Sequence, residues 1–378
     1  MTERLRFISR LDAGESMSEL CREFGISRKT GYKLLERYRS EGAGALADRS
    51  RRPEHSPRAT PAELVELLVA ERKAHPTWGP RKLRVVLGRR HAGVEWPAES
   101  TVWAILKRHD LVPARAKRRQ VPPHTAPLVH ATGPNALWCA DFKGQFRLGN
   151  GRYCYPLTVT DAYSRFLVGC VALESTAEEE AISVFSGLFR ERGLPQAIRT
   201  DNGVPFASTS IQGLSRLGVV WRRLGIAHER IEKGHPEQNG RHERMHRTLK
   251  AETTRPAGQN LLQQQERFDL FQQEYNWVRP HQALEDCTPA TAYRDSQRPC
   301  PKALPEPRYP LHDLACRVSW GGQVYIPHRR GPATPIYLSL VLADQLVGLR
   351  ELEEGRWLVS FMRDDLGIVN LTTRRMES

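Results

Sequence analysis

The stretch GHPEQNGRHERMHRTLK, residues 234–250, holds two candidate catalytic acids, Glu237 and Glu243. Within it HERMH fits the H-E-x-x-H pattern. There, His242 and His246 would share a helix face as zinc ligands, and Glu243 would serve as general base. Two more acids stand where strands are expected to end, Asp141 in LWCADF and Asp201 in IRTDNG. Carboxylates brought together repel unless a divalent cation neutralises them. Hard oxygen ligands favour Mg²⁺, with Mn²⁺ able to substitute. Two such ions about 4 Å apart can activate a water or hydroxyl and steady the leaving oxygen of a phosphodiester. The same glutamate therefore belongs to two chemistries, zinc hydrolysis or metal-dependent phosphoryl transfer.

The elements around these acids favour the second. Asp141 shares a strand face with Cys139 and Leu137, and Asp201 lies at a strand end before Asn202-Gly203. Such strand ends are where α/β sheets build sites. YCYPLTVTDAYSRFLVGCVAL reads as a hairpin with Asp161 capping its turn together with Ser164, a structural role. A helix over TAEEEAISVFSGLFRERG stops at Gly193, and another starts near Gln238. Together these describe an α/β layer fold with a mixed sheet over residues 135–295. HERMH is flanked by Arg241 and Arg247 rather than apolar residues, with no G-x-x-H after it and no clear third ligand. Its histidines read as polar helix residues near DNA phosphate. Arg279, in a helix-ending YNWVRPH, reads as mainly structural with a possible DNA contact.

Charge separates the rest of the chain. The 378 residues carry a net charge of +14, yet residues 1–120 hold 26 Lys and Arg against 15 Asp and Glu. A basic N-terminal third on a near-neutral body points to a polyanion-binding module. SMSELCREFGISRKTGYKLLERY reads as a helix-turn-helix, with Ser16 and Glu19 as a capping box, Gly25 at the corner and Ser27 capping the second helix. Arg28, Lys29, Thr30 and Lys33 would face DNA, while Gly31 replaces the usual apolar residue. A second helical block follows a Pro/Arg linker, with Pro80 in a first turn and Ser100-Thr101 opening the last helix. The basic run around Lys117, Arg118 and Arg119 could follow a phosphate backbone. Beyond a Pro-rich connector, residues 311–378 alternate between turn signals and read as a small β-barrel. Seven scattered cysteines without C-x-x-C fit a reducing cytoplasm, and no segment has the apolar length of a membrane span.

LWCADF, DAYSRFLVG, RTDNGVPFAS, GHPEQNGRHERMHRTLK and YNWVRPHQALEDCTPATAY together resemble bacterial insertion-sequence transposases of the DDE type. Their core is shared with retroviral integrases and ribonuclease H. The resemblance covers residues 135–295 and implies that Asp141, Asp201 and Glu243 bind the metals, with Arg247 and Lys250 touching DNA. The family often has about 35 residues between its last two acids, which mechanical counting would satisfy with Glu237. The family glutamate follows P-x-x-x-G-x-x-E, however, and Pro236, Gly240 and Glu243 fit that pattern. The six extra residues are placed in STSIQGLSRLGVVWRRLG. The expected chain is therefore multidomain. It has N-terminal all-α helix-turn-helix units (1–53 and 54–113), a basic linker (114–134), an α/β RNase H-like core (135–295) and a C-terminal β-barrel (311–378). The resemblance further implies a cytoplasmic, nucleoid-associated enzyme. It would bind terminal inverted repeats, cleave at 3′ ends, and transfer those ends to target DNA as a homo-oligomer in a synaptic complex. A non-catalytic DNA-binding regulator descended from a transposase is the alternative from a different class, and a zinc peptidase is a further one.

Overall fold

The computed structural model describes residues 2–48, 59–112, 131–208, 210–232, 240–328 and 331–377. Contacts divide the chain into two units, Met1–Pro61 and Ala62–Ser378.

In the first unit, helices α1 (Thr2–Asp12), α2 (Met17–Glu23) and α3 (Arg28–Glu41) close around Phe7, Ile8, Leu20, Cys21, Leu34 and Leu46. The corner between α2 and α3 turns at Gly25, whose φ of +63° is the left-handed conformation glycine tolerates best. Ser27 caps α3 by accepting from Thr30 N. Ser16 occupies the N-cap position of α2 but forms no side-chain cap bond, so the expected capping box is absent. Gly31 has a packing reason. A Cβ there would lie 2.7 Å from both Cys21 Sγ and Met17 Sδ.

The second unit opens with α4 (Ala62–Ala74), α5 (Pro80–Arg90) and α6 (Glu99–Arg108), packed around Leu68, Trp78, Leu83, Leu87, Val102 and Ile105. Pro80 sits in the first turn of α5, as its missing N–H allows. Helix α6 starts at Glu99 with Ala98 as its N-cap, not at Ser100-Thr101.

The central layer is a mixed sheet of β1 (Leu137–Phe142), β2 (Phe146–Arg147), β3 (Tyr153–Asp161), β4 (Leu167–Leu173), β5 (Ala197–Thr200) and β6 (Ala227–Arg230). Strand order is β4-β3-β1-β5-β6, with short β2 also on β3. β3 is antiparallel to β1 and β4, whereas β1, β5 and β6 run parallel. Alternation sorts the strand residues. Trp138, Ala140, Leu157 and Val159 pack under α7 (Glu178–Arg192) and α8 (Arg216–Arg223). On the opposite face Cys154 and Cys170 meet Met245 and Leu249 of α9 (Gly240–Thr253), and Phe268, Phe271 and Tyr275 of α10 (Leu261–Trp277). A short α11 (Pro289–Ala292) follows.

Among the described residues, the C-terminal strands form no closed barrel. β7 (Leu314–Arg317), β10 (Leu346–Glu353), β11 (Arg356–Phe361), β12 (Asp364–Asn370) and β13 (Arg375–Glu377) form a five-stranded antiparallel sheet. β8 (Gln323–His328) and β9 (Gly331–Tyr337) form a separate hairpin. Pro327, Pro332 and Pro335 in that hairpin have no N–H to donate to a neighbouring strand, which opposes closure. Ile211, Leu214 and Val219, from the segment between Asp201 and Glu243, join the core of this region. Arg222 and Arg223 reinforce the junction through Asp364 and Gln345.

Candidate active site

Strand pairing brings two of the acids together. Cys139 of β1 lies opposite Arg199 of β5 in parallel register, so Asp141 and Asp201 follow at neighbouring strand ends. Adjacent strands run about 4.8 Å apart. Asp201 is held by its own turn, in which Gly203 N donates to Oδ1 at 3.0 Å. A Cβ on Gly203 would approach that carboxylate to 3.1 Å.

The third acid is positioned by histidines. Helix α9 buries His242, Met245, His246, Leu249 and Thr253, and exposes Glu243, Arg244, Arg247 and Lys250. β3 turns Thr158 and Thr160 toward that buried face, opposite the side carrying Leu157 and Val159. Thr158 Oγ1 lies 2.7 Å from His242 Nε2 and 2.6 Å from His246 Nε2. Thr160 Oγ1 lies 2.8 Å from His242 Nδ1. Thr158 is also the register partner of Asp141 and donates to its main-chain oxygen at 3.1 Å. The histidines, 2% and 3% exposed, are therefore helix anchors and not phosphate-facing residues. They pin the helix of Glu243 beside the strand of Asp141.

Electrostatics tie the acids together. Burial pushes the Asp141 carboxyl up to about 7, and the charges of Asp201 and Glu243 push in the same direction, against Lys143. Burial holds His242 at about 3, and burial with His242 and Lys143 nearby holds His246 at about 2, so both are neutral at neutral pH. His246 Nδ1 faces Asp141 Oδ2 at 3.7 Å. Asp141, His242 and His246 bring ligand atoms within 4.8 Å of one another, although both ring nitrogens of His242 are engaged by Thr158 and Thr160.

Asp161 is fully buried away from this cluster. It accepts from Asn135 N at 2.8 Å, Ser164 N at 2.7 Å and Ser164 Oγ at 2.5 Å. Arg279 is buried with its guanidinium 2.8 Å from Glu252, so it is not available to DNA in this conformation. Arg28, Lys29, Thr30 and Lys33 are all exposed on α3, and Tyr32 joins them at 59% exposure, an aromatic that the helix-turn-helix pattern did not single out. Lys117, Arg118, Arg119, Pro236 and Glu237 lie outside the described residues. Thr158 and Thr160 were also missed. Their signal was a pair of hydroxyls at period two inside the apolar run YPLTVTD, matched by histidines at i and i+4.

Comparison with known proteins agrees with this architecture. The integrase core domain matches residues 131–236, and a second integrase core description matches residues 224–289. Together these two matches span residues 131–289. A helix-turn-helix domain matches residues 3–54 and a homeodomain-like domain residues 30–106. Relatives include a 39.2 kDa protein of insertion element IS476 from Xanthomonas euvesicatoria, 28% identical over 68% of the chain and 72% of that protein. A 31.7 kDa protein of insertion element IS407 from Burkholderia multivorans is 26% identical over 72% of the chain and 93% of its own length. Among solved structures, the HTLV-2 integrase catalytic core in complex with magnesium aligns with 44% of the chain and all of its own, at 18% identity and a TM-score of 0.35. No helix among the described residues is long and apolar enough to cross a membrane.

Proposed function

We propose that this protein is a transposase with an integrase-type core that binds the terminal inverted repeats of its own element, cleaves at the 3′ ends and joins them to target DNA. Asp141, Asp201 and Glu243 are its catalytic acids. The observation that carries the reading is Asp141. Its half-buried carboxyl stands at a strand end beside that of Asp201, and partial burial pushes it upward, with the charges of Asp201 and Glu243 adding to the push. An all-oxygen group whose members repel in this way fits Mg²⁺, or Mn²⁺ in its place, better than a softer ion. Asp141, Asp201 and Glu243 would hold the metal, as two ions in this reading. When bound, Mg²⁺ supplies Lewis-acid activation of the attacking water or 3′-hydroxyl and stabilises charge on the leaving oxygen.

The chain's own residues account for positioning. The Thr158–His242–His246 contacts fix the rotation of α9, so that Glu243 emerges from its solvent side while its neighbours are buried. Arg247 and Lys250, exposed one and two turns further along, offer positive charge to the phosphates of a DNA end. In the first unit, exposed Arg28, Lys29, Thr30 and Lys33 present a basic helix to DNA. A homo-oligomer would hold two DNA ends at once.

A strand-transfer assay with inverted-repeat ends and Mg²⁺ tests the reading. Glu243→Gln is expected to abolish joining, and Glu237→Gln to retain it. The opposite pattern would overturn the site assignment. No joining by the unaltered chain would favour a DNA-binding regulator.

A further inference from the structure

The two histidines of HERMH are not equivalent. His242 has both ring nitrogens engaged, by Thr158 Oγ1 and Thr160 Oγ1. His246 has Nε2 engaged by Thr158, whereas its Nδ1 faces the Asp141 carboxylate. Proton counting assigns the roles. Thr158 has one hydroxyl proton and donates it to the main-chain oxygen of Asp141. Both imidazoles must then donate Nε2–H into the Thr158 oxygen, which leaves a lone pair on each Nδ1. Thr160 can donate to that of His242. The Nδ1 lone pair of His246 is left opposite Asp141 Oδ2, acceptor against acceptor when that carboxyl is ionised.

Their separation of 3.7 Å is too long for a hydrogen bond. It suits two ligands of one ion. Two bonds of about 2.1 Å meeting at a tetrahedral angle span about 3.4 Å. The right angle of octahedral Mg²⁺ gives about 3.0 Å. The Nε2–H bond to Thr158 is also the outer hydrogen bond that ligating histidines usually make.

We propose that His246 Nδ1 and Asp141 Oδ2 form a binding site for a zinc-like, nitrogen-seeking divalent cation. By sharing Asp141, this site excludes Mg²⁺ from the acids. The competition with Mg²⁺ rests on the function proposed above; the zinc site itself does not.

The test uses the full chain without DNA. Co²⁺ is added and followed by visible absorption, then displaced with Zn²⁺, and Zn²⁺ affinity is measured by calorimetry with and without excess Mg²⁺. Intense low-symmetry Co²⁺ bands without a thiolate charge-transfer band are expected, with Zn²⁺ affinity falling at least about tenfold in His246→Asn. Excess Mg²⁺ should weaken Zn²⁺ binding. In the unaltered chain, Zn²⁺ should shift the ¹⁵N resonance of His246 Nδ1, a readout that needs no variant to fold. Absence of Co²⁺ bands, a thiolate band, an unmoved His246 resonance, or equal affinity in a folded His246→Asn would each overturn the site. Zinc binding that ignores Mg²⁺ would overturn the competition. Joining in Mg²⁺ is scored separately, so failure of the zinc site and failure of the transposase reading are told apart.

Discussion

The Thr158 hydroxyl stands 2.6 Å from Nε2 of His246, and this contact couples the helix of Glu243 to the strand beside Asp141. Thr158 is fully buried and also meets His242 at 2.7 Å. Thr158→Val keeps the shape but leaves two imidazole N–H groups without an acceptor. A loss of about 2–4 kcal/mol is expected, from the usual cost of unsatisfied buried donors. Thr158→Ser should restore most of it. Urea unfolding followed by a probe in the core would measure this, and a Val variant within about 0.5 kcal/mol of the parent would refute the anchoring role.

Acid should unfold the core well above the range in which carboxylates titrate. His228, His242 and His281 are held at about 3 and His246 at about 2, in each case chiefly by burial, against an ordinary value of 6.5. The folded state therefore refuses protons that the unfolded state accepts below pH 6.5. Their contribution is complete above that pH and declines as pH falls toward 3, by about 1.4 kcal/mol per pH unit for each histidine. Melting temperature should drop steeply between pH 6.5 and 5, and His228→Gln should make the drop shallower. A flat profile across that interval would contradict the burial of neutral imidazoles.

Arg279 tests the buried ion pair that supports its structural role. Its side chain is 7% exposed and that of Glu252 is 19% exposed, at a separation of 2.8 Å. Arg279→Met leaves Glu252 partly buried without its cation and should cost about 3 kcal/mol. Adding Glu252→Leu should recover a substantial part of that loss. A single variant with normal stability but weaker DNA binding would instead make Arg279 a DNA contact.

Much of this architecture is legible in residue order because it depends on local pattern. Trp138 and Ala140 alternate with Leu137 and Cys139, so the facing of Asp141 follows from period two. Gly193 ends α7 as expected for a left-handed C-terminal residue. The histidine anchors were less accessible. Thr158 and His242 are 84 residues apart, and periodicity assigns each to a face without saying which faces meet. Burial then reverses the meaning of an i, i+4 histidine pair from exposed to structural. The barrel expectation failed for a related reason. Alternation identifies strands, but closure depends on whether the outer hydrogen-bonding rows join, and the prolines of β8 and β9 oppose this.

The recognition helix permits a test in which stability and DNA contact separate. Gly31 is buried against Cys21, Met17 and Phe7, so Gly31→Leu would force the α2 and α3 packing apart. Overpacking of this kind costs about 1–3 kcal/mol and should lower the melting temperature of the first unit together with DNA binding. Lys33 and Tyr32 are exposed on the same helix. Lys33→Ala should leave melting unchanged, weaken binding to an inverted-repeat duplex, and reduce the dependence of log affinity on log salt by about 1 if Lys33 meets phosphate. Tyr32→Ala should weaken binding with little change in that slope, because a ring contact displaces no counterion. Measuring affinity at several salt concentrations distinguishes these outcomes. Unchanged binding in both Lys33→Ala and Tyr32→Ala would show that this face of α3 does not meet DNA.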